Sequence, residues 1–478
     1  MRAWDKRHEH MNTLPPSTAT LTKGKVVLFY PTPSVTAFYW FPFPYIYLGP
    51  FLERAGYRVV VIDARTDGDW HVTLEKEIID ANIVGITAMS GPDLISAVEA
   101  AHIIRDTRPN LPILWGGHHA NQLPAQMIEE NVADYVFVGQ AELNMVTVVN
   151  CIVEKKELPP LIGVISKCAD GTIAGNKSPA RVNFDYEIFP GWHLLDIEKY
   201  RSANNIASYF SSKGCPFRCT FCTTGDYITS YRKHDQFALE FEHLTQKLRF
   251  KNIFFQDGTF FLSKKRVLPI AEKIREISPD TLWKAKAKAT SFKKWKSHEL
   301  VTLHDSGLRS IFFGIEHGSQ RMLDKMKKQI TRKDALDSAR MCQDYGFEFY
   351  ASFIFASPGE TVGDLKQTLN LMDEIRAIKP DATLQNCIYL PLPGTPMYDE
   401  AVECGFKPPN TLHEWGTRNT TSRFDDNHNV TWLSPSILKE YIHVYNDAFP
   451  NYKHVYERER DGDYTSPLLN TRGATRMN

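Results

Sequence analysis

Two successive series of short β-rich segments, separated by helical stretches, constrain the fold of this 478-residue chain more than any other feature. The first series runs from Lys25 to about Asn150, and the second from about Ile206 to Pro391. Parallel neighbours in a sheet need long crossovers, so strands that alternate with helices predict parallel sheets built from βαβ units. We therefore expect an α/β protein with more than one domain.

The first series predicts an open, doubly wound (Rossmann-like) domain over residues 25–150, with its ligand over the carboxyl ends of the strands. Its candidate strands are Val26–Tyr30, Arg58–Ile62, Ile83–Thr87, Pro112–Trp115 and Tyr135–Val138. The second series predicts a partial (β/α)6 barrel over residues 205–400, with its chemistry at the strand carboxyl ends. Its candidate strands are Ala207–Phe210, Asn252–Phe255, Leu282–Ala285, Ser310–Gly314, Phe349–Phe355 and Thr383–Tyr389.

The remaining segments are less regular. Residues 1–24 are expected to be a flexible tail, 151–204 a connector with a short strand at Ile162–Ser166, and 401–478 a small, mostly helical region with a disordered end. Lys and Arg balance Asp and Glu at 56 each, so no basic excess indicates nucleic acid. No apolar run is long enough to span a membrane. Scattered cysteines and the lack of a signal peptide favour the reducing cytoplasm.

The segment Gly214-Cys215-Pro216-Phe217-Arg218-Cys219-Thr220-Phe221-Cys222 carries the strongest chemical signal. It follows the first strand of the second series and therefore lies on a loop at the carboxyl end of the predicted barrel. Thiolates are soft ligands that suit iron–sulfur clusters or zinc. Cysteines spaced by three and then two residues can ligate three irons of a [4Fe–4S] cluster and leave the fourth open. The alternative is a structural zinc site in a non-catalytic protein, but such sites close with a fourth Cys or His, and only His234 is a candidate.

The cysteine segment resembles the signature of the radical S-adenosylmethionine (SAM) superfamily, in which the aromatic before the third cysteine, here Phe221, lies against the adenine. Four further segments are similar to the same family in order and spacing: Phe254–Gly258, Phe313–Ser319, Phe353–Thr361 and Pro391–Pro396. The resemblance implies SAM contacts by Asp257 and Glu316. His317 stands where the family usually has a serine.

A doubly wound domain ahead of such a barrel resembles the cobalamin-binding subgroup of the family. The residues that carry this resemblance follow three predicted strands, and it implies that they contact cobalamin: Thr87, Ser90, Gly116, Gly117, His118 and Glu142. Many cobalamin domains carry Asp-x-His-x-x-Gly after the first strand, and here Pro31–Thr36 has no His. A purely structural N-terminal domain therefore remains the alternative.

The resemblance implies three cofactors: a [4Fe–4S] cluster, SAM and cobalamin. It also implies methyl transfer to an unactivated carbon of a small natural product, lipid or tetrapyrrole. One SAM would supply the methyl group through cobalamin and a second would be cleaved to a 5′-deoxyadenosyl radical. A rearrangement, cyclisation or oxygen insertion with the same cofactors is the second hypothesis. The expected partners are the small-molecule substrate and an electron donor such as flavodoxin or ferredoxin.

Overall fold

The structure is a computed structural model that describes residues 23–32, 40–142, 144–168, 170–184, 188–226, 228–418 and 430–449. Residues 1–22, the last residues of the chain and most of the Pro31–Thr36 segment lie outside this set, so the expectations for them are not addressed by the structure. In the described part of the chain, every helix is too short or too polar to cross a membrane.

The first sheet has strand order β2-β1-β3-β4-β5-β6-β7 within the described residues. The first five strands are parallel, and β6 and β7 are antiparallel additions at one edge. The strands are β1 (Gly24–Tyr30), β2 (Tyr57–Asp63), β3 (Ile83–Thr87), β4 (Ile113–Gly116), β5 (Tyr135–Phe137), β6 (Val164–Lys167) and β7 (Ile173–Asn176). Every residue of β3 is buried, as expected for a central parallel strand covered by helices on both faces. The doubly wound domain is confirmed, but its sheet continues beyond the predicted boundary at residue 150 to Asn176.

Helices cover both faces of this sheet and bring the chain to the second domain. They are α1 (Phe43–Arg54), α2 (Trp70–Ile78), α3 (Asp93–Thr107), α4 (His118–Gln122), α5 (Pro124–Glu129), α6 (Met145–Val153) and α7 (Ile197–Asn204). Two separate buried clusters, one for each face, form the core of the domain. Because parallel strands end at one edge, the loops after β3, β4 and β5 meet at a common rim.

The second sheet contains six parallel strands in the order β8-β11-β12-β13-β14-β15 among the described residues, which confirms the partial barrel. The strands are β8 (Ile206–Tyr209), β11 (Asn252–Phe255), β12 (Leu282–Lys288), β13 (Leu308–Glu316), β14 (Glu348–Phe355) and β15 (Thr383–Ile388). A short antiparallel hairpin, β9 (Ser212–Lys213) with β10 (Ser230–Tyr231), follows β8. The outer helices are α8 (His234–Glu242), α9 (Lys264–Ile277), α10 (Ser297–Asp305), α11 (Gln320–Lys325), α12 (Arg332–Asp344), α13 (Val362–Ile378) and α14 (Pro396–Glu403).

The largest buried cluster lies between these strands and the outer helices. The turn into α13 shows how the local sequence fixes this layer. The Thr361 hydroxyl accepts from the Asp364 backbone N–H, while the Asp364 carboxylate accepts from the Thr361 N–H at 2.9 Å, which is a capping box.

The C-terminal region is helical in its described part and contacts both domains. Helix α15 (Leu412–Gly416) packs against α3, and α16 (Pro435–Ala448) packs against α13. The region therefore braces the two domains rather than forming a separate unit.

Candidate cofactor and active site

The three clustered cysteines lie on the loop between β9 and β10, at the carboxyl end of the barrel. Cys215 and Cys219 are partly buried and Cys222 is exposed, and all three are free thiols. The β9–β10 hairpin closes the two ends of this loop against each other. The loop is therefore a defined substructure that presents its thiols toward the barrel mouth.

Three other barrel segments hold the cysteine loop in place. The Thr220 backbone N–H donates to the Met326 carbonyl at 3.0 Å, and the Thr220 carbonyl accepts from the Met397 N–H at 2.9 Å. On the opposite side, a Cβ added to Gly258 would lie 3.4 Å from the Cys215 Cβ and 3.2 Å from the Gly214 carbonyl oxygen. The predicted segment after β11 therefore touches the loop, and a glycine there permits the close approach.

Asp257, which was predicted to contact SAM, is fully buried and its carboxylate serves the cysteine loop. It accepts hydrogen bonds from the Ser211 backbone N–H at 2.8 Å, the Ser211 hydroxyl at 2.7 Å and the Ser212 hydroxyl at 2.5 Å. Arg266 pairs with the same carboxylate at 3.0 Å. The sequence placed Asp257 correctly at a strand end, and its carboxylate bonds Ser211, Ser212 and Arg266 beside the cysteine loop. Its contact with SAM stays a prediction.

Glu316, the second predicted SAM contact, forms a buried ion pair beside the cysteines. Its carboxylate lies 2.8 Å from Lys328 Nζ and accepts from the Ser352 hydroxyl at 3.0 Å. Burial lowers the pKa of Lys328, but the charges of Glu316 and Cys219 outweigh burial, so its pKa is raised overall. The Lys328 ammonium also lies 5.7 Å from the centre of the Phe221 ring. Lys328, which the sequence analysis did not single out, therefore lies between Phe221 and Glu316, two of the residues predicted to contact SAM.

Backbone strain at the end of β13 creates the room for this ion pair. Glu316 has a φ of +68°, a left-handed conformation that is costly for a residue with a side chain. A Cβ on Gly314 would lie 2.4 Å from a Glu316 carboxylate oxygen and 2.7 Å from Lys328 Nζ. Only glycine at 314 therefore lets the pair lie against the inner face of the strand.

His317 has a structural role at the position where the family usually has a serine. The ring is fully buried, and its Nδ1 accepts from the Ser319 N–H at 3.0 Å. Its Nε2 lies 3.1 Å from Glu360, whose carboxylate also accepts from Tyr441 at 2.6 Å. The imidazole therefore links the end of β13 to the C-terminal helix α16 beneath the site.

A second site is a cavity of about 250 Å³ at the carboxyl end of the first sheet. Its walls come from α1, from the ends of β3, β4 and β5, and from the barrel, which contributes Phe210 and Lys213. Five of the predicted cobalamin residues line it: Thr87, Gly116, Gly117, His118 and Glu142. The topological argument from the sequence therefore located the cavity.

Two adjacent glycines shape the cavity wall in different ways. Gly117 has a φ of +100°, and a Cβ there would lie 2.5 Å from the Ala88 carbonyl oxygen and 2.7 Å from the Thr87 hydroxyl. Gly116 has no atom within 4 Å of an added Cβ, so its missing side chain leaves open space on the cavity side of β4. The first glycine is required by the fold, whereas the second keeps the cavity open.

Two contacts connect this cavity to the cysteine loop. Lys213, which immediately precedes Gly214 of the loop, forms an ion pair with Glu142 across the cavity. His118 Nδ1 lies 3.4 Å from the Thr223 hydroxyl, next to Cys222. Burial lowers the pKa of His118, so its imidazole is neutral at neutral pH. The cavity and the thiol loop are therefore neighbouring parts of one interdomain region.

Ser90 differs from the other predicted cobalamin residues because it is not among the residues that line the cavity. Its hydroxyl lies 2.9 Å from Nδ1 of His119, a fully buried imidazole that packs edge-on against Trp415 of α15. Ser90 therefore supports the His119–Trp415 packing between the first domain and the C-terminal region.

The residues present fit the cofactors that the sequence implies. The three cysteines are free thiols; burial raises the pKa of the Cys219 thiol, and the charges of Lys328 and Lys288 oppose that effect. No three His, Cys, Asp or Glu side chains among the described residues converge as they would on one metal ion. Thiolates that bind different irons of a cluster do not need to converge in this way. The open space at Gly116 and the apolar walls likewise suit a large, flat ligand.

Sequence analysis missed the lysines of the site: Lys213, Lys288 and Lys328. Lys328 follows α11, twelve residues after the Glu316 strand end that it contacts, and no local motif marks it. The sequence did contain a pattern that could have indicated Lys288, because Lys284, Lys286 and Lys288 alternate with apolar residues along β12. A strand with this pattern has one charged face, which in a barrel is the inner face.

Comparison with known proteins agrees with both sites. Residues 209–372 match the Radical SAM superfamily model, and residues 34–149 match the B12 binding domain model. The chain is 27% identical over 359 residues to an uncharacterised methyltransferase of Pyrococcus horikoshii, covering 73% of this chain and 76% of that protein. It is 24% identical over 374 residues to an anaerobic magnesium-protoporphyrin IX monomethyl ester cyclase of Rubrivivax gelatinosus, covering 76% and 66%.

Among solved structures, the fold resembles the radical SAM methyltransferase TsrM of Kitasatospora setae, determined with cobalamin and a [4Fe–4S] cluster bound. The TM-score is 0.66 at 20% identity, and the match covers 81% of this chain and 79% of that one. At this identity the likeness concerns the fold. Taken with the placement of the cysteine loop, the two domain matches show that the chain carries a radical SAM domain preceded by a B12-binding domain.

Proposed function

We propose that this protein is a cobalamin-dependent radical SAM methyltransferase that acts on an unactivated carbon of a small molecule. Cys215, Cys219 and Cys222 would hold the [4Fe–4S] cluster, with SAM above the barrel near Phe221 and Glu316. Thr87, Gly116, Gly117, His118 and Glu142 would line the cobalamin site. When bound, the cluster and SAM supply a carbon-centred 5′-deoxyadenosyl radical, and cobalamin supplies the methyl group.

The observation that carries this proposal is the shared boundary between the two sites. Phe210 and Lys213 of the barrel line the cavity of the first domain, and Cys215 follows Lys213 by two residues. Methyl transfer to a substrate radical requires both reactive centres to face one substrate, since proximity and orientation supply much of the rate. A purely structural first domain has no need for a cavity that borders the cysteine loop.

The chain's own residues would prepare this region for radical chemistry. The Asp257 network fixes β9, and the Lys328–Glu316 pair lies between the Phe221 ring and the end of β13. The rings of Phe43 and Phe210, whose centres are 4.5 Å apart, give the cavity an apolar wall. An apolar wall would limit the access of water and so reduce side reactions of reactive intermediates.

The proposal includes an electron donor of the flavodoxin or ferredoxin type and a location in the cytoplasm. All eight cysteines of the chain are free thiols, which agrees with a reducing compartment. A low-potential electron is needed for the cluster to cleave the sulfonium of SAM.

The test uses anaerobically reconstituted protein with SAM that carries a labelled methyl group, a reductant and a small-molecule extract. Formation of 5′-deoxyadenosine together with a labelled product heavier by about 14 Da, one methylene, supports the methyltransferase. Failure to cleave SAM in protein with a full complement of iron and sulfide contradicts the proposal.

The similarity to a cyclase favours a second candidate, a rearrangement, cyclisation or oxygen insertion with the same cofactors. The same experiment separates the two. A product that changes only in the presence of SAM, but carries no labelled methyl group, supports the second candidate.

A further inference from the structure

Strand β12 places three lysines on the inner face of the barrel. Its outward side chains, Trp283, Ala285 and Ala287, are buried in the core between strands and helices. Because strand side chains alternate, Lys284, Lys286 and Lys288 point to the opposite face. A run of cations inside a barrel is costly, so it calls for a specific reason.

The three lysines occupy successive levels of the barrel. Lys288 is at the level of the cysteines, because its ammonium lies 3.7 Å from the centre of the Phe217 ring, between Cys215 and Cys219 in the loop. Lys286 pairs in register with Phe312, whose ring stacks on Tyr350 with centres 4.4 Å apart. The ammonium groups of Lys284 and Lys286 lie 5.3 Å and 5.6 Å from the centre of the Phe254 ring. Lys286 is therefore surrounded by aromatic rings, roughly 7 Å below Lys288 along the strand.

The lysines of the barrel interior differ in how close the nearest carboxylate lies. Lys328 pairs with Glu316, and burial lowers the pKa of Lys284 while the Glu348 carboxylate opposes that effect. In the part of the chain that the structure describes, no carboxylate lies within 4 Å of the Lys286 ammonium. The charge of Asp257 reaches Lys286, but that carboxylate is already bonded to Ser211, Ser212 and Arg266.

Both deeper lysines nevertheless keep their charge under ordinary conditions. Burial lowers the pKa of Lys284 and of Lys286 to about 8, which still leaves them mostly protonated at neutral pH. Both side chains are half-buried, so an anion inside the barrel can reach them, and an oxyanion bound to the Lys286 ammonium would form charge-assisted hydrogen bonds.

We infer that the substrate carries an oxyanion, a carboxylate or a phosphate, which binds to Lys286 and Lys284 inside the barrel. The inference rests on the proposed function, since it names the substrate class of the same site. An anion held at this depth leaves the rest of the substrate to extend toward the strand carboxyl ends, between the cysteine loop and the cavity of the first domain. The aromatic rings of Phe254 and Phe312 would contact its carbon skeleton.

SAM itself carries a carboxylate, which is the alternative occupant of the lysine site. Lys288 lies at the level of the cysteines and is better placed for an amino acid chelated to the cluster. Measurements of SAM affinity therefore separate the two sources.

The test uses the reconstituted holoenzyme with inorganic phosphate or acetate as the probe. Amine acylation followed by peptide mass spectrometry reports how far each anion protects Lys286 and Lys284. We expect protection of both by at least one anion, and none of Lys265, an exposed lysine on α9. In Lys286→Gln, protection of Lys284 should require about tenfold more anion, as loss of a charged hydrogen-bond donor predicts. Lys286→Arg should keep most of the protection, and Lys265→Gln should match the wild type.

Three results would overturn the inference. The first is that neither anion protects the two lysines in the wild type, and the second is that Lys284 in Lys286→Gln is protected at the wild-type anion concentration. The third is a loss of SAM affinity in Lys286→Gln, which would assign the lysines to the SAM carboxylate. Reductive SAM cleavage by the wild type is measured in parallel. If SAM is not cleaved, the proposed function fails; if SAM is cleaved but the anion result is negative, only the inference fails.

Discussion

The cavity of the first domain and the interior of the barrel meet at one boundary, but the residues that line them differ in chemical character. The cavity is lined by glycine, aromatic and aliphatic residues, and its charged pair, Glu142 with Lys213, lies where it joins the barrel. The barrel interior presents Lys284, Lys286 and Lys288, with Lys328 paired to Glu316 at its mouth. We therefore expect the first region to select a ligand mainly by shape, and the second mainly by charge.

This difference predicts which substitutions should matter in each region. A change of size should disable the cavity, while a change of charge should be tolerated there better than in the barrel. Conversely, neutral replacements of similar size should weaken ligand binding in the barrel, because each removes one charged hydrogen-bonding group.

The largest effect is expected from replacing Cys215, Cys219 and Cys222 together by alanine. The variant should lose bound iron and sulfide, its absorbance near about 400 nm and all reductive SAM cleavage, because thiolates are the cluster ligands. Iron and sulfide analysis with chromatography of 5′-deoxyadenosine checks this. Cys404→Ala, at an exposed free thiol, is the matched control and should behave as the wild type. Continued 5′-deoxyadenosine formation by the triple variant would contradict the assignment.

The next effect is expected from Gly116→Trp, which places a large ring in the open space beside β4. Cobalamin binding and methyl transfer should be lost, while SAM cleavage should persist because the cysteine loop is untouched. Cobalt content and product analysis test this prediction. Gly68→Trp is the matched control, since Gly68 is exposed and also has no atom within 4 Å of an added Cβ. Undiminished cobalt in Gly116→Trp would show that cobalamin binds elsewhere.

A smaller effect is expected from Glu316→Gln, which keeps the size of the side chain and removes its charge. In this variant Lys328 loses its charged partner, Glu316, and SAM binding should weaken by about tenfold. A loss of this size is usual when one charged hydrogen bond is removed. The substitution should also lower the pKa of Lys328, since Glu316 is the first charge that raises it. Equilibrium titration with SAM measures the affinity. Glu348→Gln, at the far end of the barrel interior, is the control, and equal affinities for SAM in all three proteins would contradict a role for Glu316.

The last prediction concerns the pH dependence of stability and depends on His119, a histidine of the first domain. Burial lowers the pKa of His119 to about 4, so the unfolded chain binds a proton below pH 6.5 that the folded chain does not bind. Stability from this group is therefore present above pH 6.5 and is lost as pH falls, by about 2 kcal/mol between pH 6.5 and pH 5. His119→Asn should flatten this part of the profile. Denaturant unfolding at several pH values tests it, and an unchanged slope in the variant would contradict the assignment.

The sequence predicted the fold well because its signals are local. The bounds of β3 and β11 agree with the predicted Ile83–Thr87 and Asn252–Phe255, since each is a short apolar run with helical neighbours. Strand β6 overlaps the short strand predicted at Ile162–Ser166 in the connector, whereas β7 was not predicted, because it is an exposed edge strand with a weak apolar pattern. The first domain is therefore larger than the alternation alone indicated.

The candidate site was predicted less evenly. The cysteines and the cavity glycines belong to local motifs at strand ends, and the structure places them where such motifs should lie. Ser90 and Asp257 also follow strands, but their side chains are bonded to His119 and to Ser211 and Ser212, contacts that only the tertiary structure specifies. Lys328 is brought back to Glu316 by the turn of the chain through α11, and no motif in the sequence marks that contact.

The central claim is that two independent cofactor sites share one boundary, and the cofactor content of two variants tests it most directly. Iron, sulfide and cobalt are measured after anaerobic purification with cobalamin supplied. The account predicts that the triple cysteine variant keeps cobalt and loses iron, whereas Gly116→Trp keeps iron and loses cobalt. A triple variant that retains iron, or a Gly116→Trp protein that retains cobalt, would contradict it.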